Sequence, residues 1–184
     1  MLKIYIEPQE LFDNKKQEFI NIKGQTLLLE HSLVSISKWE SKWKRPFISK
    51  NNDDKKTLEE TLDYIKCMTI TEDVDDIIYN CLSNENIQKI NKYIEDPMTA
   101  TTFYIENKNY SINREQITSE LIYYWMVSSN IPIECEKWHI NRLLTLIRIF
   151  SLKNTPPKKM SKKEIMSRNA ALNAARRKKL NTSG

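Results

Sequence analysis

Residues 117–153, ITSELIYYWMVSSNIPIECEKWHINRLLTLIRIFSLK, carry the densest apolar and aromatic content of the chain and are broken once, at Asn130-Ile131-Pro132. A stretch of this kind has to be buried, and its spacing says how. Ile117, Leu121, Tyr124, Trp125 and Ser128 recur at the interval of one helical face. Asn113 is a suitable N-cap for that helix, with Glu115 and Glu120 early, where acids suit the positive end of the dipole. Pro132 ends it, because the residue before a proline is pushed out of the α region. Pro132 also suits the start of a second helix, with Glu134 and Glu136 in its first turn and Ile140, Leu143, Leu144, Ile147 and Phe150 as its buried stripe. Two amphipathic helices on a short connection predict an antiparallel helical hairpin at the centre of the core.

The rest of the chain agrees with a helical fold. Only two glycines occur, Gly24 and Gly184, whereas sheet-rich folds with many tight turns need more. Residues 1–24 are the exception. Leu2–Ile6 alternates weakly and Glu18–Ile22 more clearly, a polar turn at Asn14-Lys15-Lys16 separates Phe12 from Phe19, and Gly24 punctuates the exit, which predicts a small β element resting on the helices. Residues 26–43 read as a helix through Leu29, Leu33, Ile36, Trp39 or Glu40, and Trp43, stopped by Lys44-Arg45-Pro46. Thr57-Leu58-Glu59-Glu60 is a capping box that opens a helix burying Leu58, Leu62, Ile65 and Met68. Shorter helices follow over 74–82 and 86–94, and residues 98–110 form either a small hairpin or an extended connector.

Charge is distributed unevenly. The formal total is +5, but residues 158–184 hold nine bases and one acid, so this segment is +8 and the preceding 157 residues are −3. The segment follows Asn154-Thr155-Pro156-Pro157, a stiff hinge because two prolines hold the chain extended. Ser161-Lys162-Lys163-Glu164 is a second capping box, opening an alanine-rich helix over 162–180. The predicted architecture is mainly α: a helical body over 1–153, with 1–24 its β-containing part, and a proline hinge plus a protruding basic C-terminal helix over 154–184.

The candidate sites argue against catalysis. Cys135 and His139 are four apart on one helical face, but no further ligands stand at metal-site spacing. No nucleophile motif surrounds Cys67, Cys81 or Cys135, and two glycines cannot build a phosphate loop. The sequence therefore predicts no enzyme, no metal and no cofactor. An odd, sparse cysteine count fits a reducing compartment, and no apolar run approaches the roughly 20 residues that span a bilayer. Residues suited to a partner are the bases Lys158, Lys159, Lys162, Lys163, Arg168, Arg176, Arg177, Lys178 and Lys179, together with Trp39 and Trp43, which can line either a core or a groove.

The segments SLVSISKWESKWKRPF, TSELIYYWM, KWHINRLLTLIRI and KKMSKKEIMSRNAALNAARRKKLNTSG resemble a family of small proteins from the virion-morphogenesis module of long-tailed bacteriophages, described as tail-assembly-chaperone-like. The resemblance runs from about Leu27 to the C-terminus and is most specific at residues 137–149 and 161–184. It implies a non-enzymatic protein of the host cytoplasm that binds phage tail proteins, of tape-measure or tail-tube type, during assembly. A structural protein kept in the virion at the tail or head–tail joint is the alternative. A nucleic-acid-associated protein acting through the basic tail comes after it. A homo-oligomer is compatible with each, and a membrane partner is not expected.

Overall fold

In β1 (Leu2–Ile6), Ile4 and Ile6 face the core while Tyr5 faces solvent, the two-residue period of a half-buried strand. The computed structural model describes residues 1–13, 17–49, 55–103, 116–154 and 161–182. Over these the chain is mainly helical, with a small β region at its N-terminus. It divides into two compact units, Met1–Ser151 and Leu152–Gly184.

The β region contains more strand than the sequence suggests. β2 (Gln9–Asp13) and β3 (Glu18–Ile22) form an antiparallel hairpin with Phe12 opposite Phe19, while the expected turn at Asn14-Lys15-Lys16 lies outside the described residues. β1 pairs instead with β4 (Gln25–Leu29), Leu2 opposite Leu29 and Ile6 opposite Gln25. Residues 26–29 are therefore strand and not the opening of a helix. Leu27-Leu28-Leu29 fits either period, and pairing with β1 decides it by burying Leu27 and Leu29 and leaving Leu28 outside. Gly24 sits between β3 and β4, where the Tyr5 ring and Pro8 leave no room for a Cβ.

α1 (Leu33–Trp43) begins only after Ser32, whose side chain and that of Ser35 cap each other's backbone N–H, and it ends at Lys44 in the left-handed conformation. α2 (Leu58–Met68) opens on the predicted capping box, Thr57 with Glu60. The chain leaving α2 runs along the free edge of β4, where Glu30 N–H donates to the Met68 carbonyl at 2.8 Å and Ile70 N–H to the Leu28 carbonyl at 2.8 Å. The segment expected to be helical over 74–82 is a 3-10 helix, Asp76–Cys81, capped by Asp75. α3 (Asn84–Glu95) follows Ser83 and packs on β1. Of the 98–110 connector, residues 98–103 are irregular and the remainder lies outside the described residues.

The central stretch departs most from expectation. α4 (Ser119–Ser128) starts from Thr118, not Asn113, which lies outside the described residues; Ile117 forms a single bridge with Ile48 instead. Its buried stripe is Ser119, Ile122 and Met126, so the predicted stripe through Tyr124 has the wrong phase. The physical reason is that α4 is apolar almost all round, and such a helix carries no phase information. After Pro132 the chain makes a 3-10 helix, Ile133–Lys137, and α5 (Ile140–Asn154) starts only at Ile140. Ile140 and Leu143 are buried on α5, with Leu144, Ile147 and Phe150 half-buried against the core. The organising element of the body is α1, which packs on α2, α4 and the second 3-10 helix, rather than the predicted α4–α5 hairpin. The second unit contains α6 (Lys162–Leu180).

Candidate interaction surfaces

α6 has little reason to be a helix other than its own residues. Alanines and long straight side chains lose little entropy in the helical state. Asn181 ends it in the left-handed conformation at φ 52°, and Thr182 N–H donates back to the Arg177 carbonyl at 3.2 Å, a Schellman closure. Arg177, Lys178 and Lys179 in the last turn suit the negative end of the dipole, whereas Lys162 and Lys163 oppose the positive end. Of the predicted docking residues, Lys162, Lys163, Arg168, Arg176, Arg177, Lys178 and Lys179 are all exposed on α6; Lys158 and Lys159 lie outside the described residues, as do both hinge prolines. Ile165 and Leu172, seven apart, share one face with Arg176 and Lys179.

The two tryptophans go elsewhere. Trp39 is completely buried and its indole N–H donates to the Glu60 carbonyl at 2.9 Å. It stacks on Trp43 at 6.2 Å, whose own N–H donates to Asp63 Oδ2 at 2.8 Å. Phe47 meets the Trp39 ring edge-on, Arg45 and Lys56 lie over that ring, Lys42 pairs with Asp63, and Arg45 pairs with Glu60 at 3.2 Å. This is the seam between α1 and α2. Trp39 is thus core and not a partner-facing residue, because burying the indole with its N–H satisfied is the stable use of a large amphipathic ring. Trp43 is half-buried and committed to the same seam.

Two features of the body escaped the sequence. Glu40 is buried with both carboxylate oxygens used, accepting the Phe47 N–H at 2.7 Å and the Ser119 N–H at 2.7 Å, which joins α1 to the start of α4. Its only sequence signal is an acid on the apolar face of a helix. Second, His139 does not work with Cys135. Its Nε2–H donates to the Tyr93 carbonyl at 2.9 Å, its Nδ1 accepts the Asn141 N–H at 3.3 Å, and its ring lies against His31. Both nitrogens are occupied. Among the described residues no three His, Cys, Asp or Glu side chains are grouped to hold a metal ion. Burial pushes the Cys67 and Cys81 thiols up, which disfavours the nucleophilic thiolate.

A groove of about 820 Å³ runs between β1, the start of β2 and α3. Gln9 and Asn86 line it, but their amides donate to the Cys81 and Tyr5 carbonyls and stitch the walls together. Among the described residues no helix is long and apolar enough to cross a membrane. Compared with protein-family models, with curated proteins and with solved structures, the chain matches none.

Proposed function

We propose that this protein is a non-enzymatic morphogenesis factor of a tailed bacteriophage, one that binds tail proteins during assembly and uses its basic C-terminal helix as the docking arm. The observation that carries the reading is the partition of charge between the two units. Residues 152–184 hold ten bases against one acid, a net +9, which leaves −4 on residues 1–151. An exposed helix with bases clustered towards both ends and few apolar residues gains little from burial, but it pairs well with carboxylates, and arginines add bidentate geometry. The resemblance in residues 137–149 and 161–184 supplies the phage context, with a helix-rich tape-measure protein as the partner class.

Mass spectrometry of infected lysate and of purified particles tests this. The protein is expected in the lysate bound to a tail protein and absent from finished particles. A fixed copy number in particles would make it a structural component of the tail or head–tail joint. Binding to duplex DNA that weakens steeply with added salt, without any tail-protein complex, would assign the arm to nucleic acid instead.

A further inference from the structure

α4 is the helix least suited to its surroundings. It is apolar on nearly every side, yet only Ser119, Ile122 and Met126 are buried. Tyr124 is 66% exposed and Val127, one turn on, is 70% exposed; Ile133 of the following 3-10 helix is 52% exposed. Tyr123 donates to Glu136 at 2.9 Å and so holds that 3-10 helix against α4. Glu120 lies one turn before Tyr124 on the same face, and Glu134 follows Ile133, both exposed. Bonds to its own backbone N–H and to Thr118 hold the Glu120 carboxyl below the usual range, so it stays charged. No lysine or arginine occurs between Arg114 and Lys137.

An exposed apolar patch edged mainly by acids favours a partner of the opposite sign, although Lys44 at the end of α1 also acts on Glu120. Two other acidic regions lack this combination. The β2–β3 hairpin exposes Phe12 and Phe19, but its sequence neighbourhood mixes acids with Lys3, Lys15, Lys16 and Lys23. The acids at 72–76 are partly neutralised, since Asp76 pairs with Lys66 at 3.0 Å. The complement to the α4 face is present in the chain itself: Ile165, Leu172, Arg176 and Lys179 on one face of α6, in a segment that has a single acid, Glu164.

We infer that the α4 face formed by Glu120, Tyr124 and Val127, with Ile133 and Glu134, docks the basic helix α6 of a second copy of this chain. The contact joins two different surfaces, so it is head-to-tail and propagates into short open chains or closes into a ring. It also covers the arm until another acidic partner competes for it. This goes beyond the tail-assembly reading and is tested without any phage component, so either can fail alone.

The test is sedimentation velocity on the purified full-length chain over a range of concentrations, at low and high salt. Concentration-dependent association that weakens with salt is expected. Glu120→Lys with Glu134→Lys, or Arg176→Glu with Lys179→Glu, should each weaken self-association by about tenfold or more, because like charges would face each other. Mixing the two variants should restore association, since the arm of the first then meets the unaltered face of the second. Tyr124→Ser with Val127→Ser should weaken association with the thermal transition unchanged, which separates loss of contact from loss of fold. A chain monomeric at every concentration, association indifferent to the charge reversals, or a mixture that stays monomeric would each overturn the inference.

Discussion

His31 and His139 meet edge to face in the core, with ring centroids 4.9 Å apart. Their backbones are joined as well: Ser32 and His139 form a bridge, and Ile140 N–H donates to the His31 carbonyl at 2.9 Å. His139 stands at the start of α5 and caps it through Nδ1, which accepts the Asn141 N–H. His31 Nδ1 bonds the Tyr64 hydroxyl, so this pair ties the end of β4 to α2, α3 and α5.

The pair makes the body acid-sensitive. Burial, helped by His139 and Lys56, pushes His31 down to about 3; burial also lowers His139, against the opposing pull of the Tyr93 carbonyl and Asp96. The folded chain therefore binds fewer protons than the unfolded chain as pH falls below the ordinary histidine range. The stabilisation is complete above about 6.5 and is lost progressively towards the folded values, at up to about 1.4 kcal/mol per pH unit for each ring. Urea unfolding between neutral pH and about pH 4 checks this. His31→Gln should flatten the slope while lowering stability at neutral pH, and an unchanged slope would exclude His31 as its source.

Glu40 is the second tie. Replacing it by Gln leaves one oxygen to accept an N–H and turns an amide NH₂ towards the other donor. Glu40→Gln should cost about 1–3 kcal/mol, the penalty for a buried donor without its acceptor. Equilibrium unfolding measures it, and a loss within a few tenths would mean that the two N–H groups find other acceptors.

The phase of α4 can be read by substitution. Met126→Ala should destabilise by about 2–5 kcal/mol and Tyr124→Ala by less than about 0.5, because only the first empties core volume. If the order were reversed, the face expected from Ile117, Leu121 and Tyr124 would be the buried one.

Removing residues 158–184 should leave the thermal transition of the body nearly unchanged while abolishing partner binding. Calorimetry and a pull-down with the proposed tail-protein partner make the comparison. A collapse in stability would show that the segment belongs to the body's core.

Several elements were legible because their signals are local. Thr57 with Glu60 caps α2 through residues three apart, Phe12 and Phe19 alternate within one hairpin, and the α5 stripe from Ile140 to Phe150 has polar residues between its apolar ones to set the phase. The bases of α6 are a matter of composition alone. Tertiary structure decided the rest. Leu27-Leu28-Leu29 became strand because β1 and the residues after α2 offered hydrogen bonds on both edges, and α4 took its phase from α1 because its own residues express none. Trp39 and His31 are distant in sequence from the groups that satisfy them, as Glu40 is from Ser119 and His139 from Tyr93. A buried polar atom is stable only where a partner waits. That partner is supplied by the fold, so its presence could not be read along the chain.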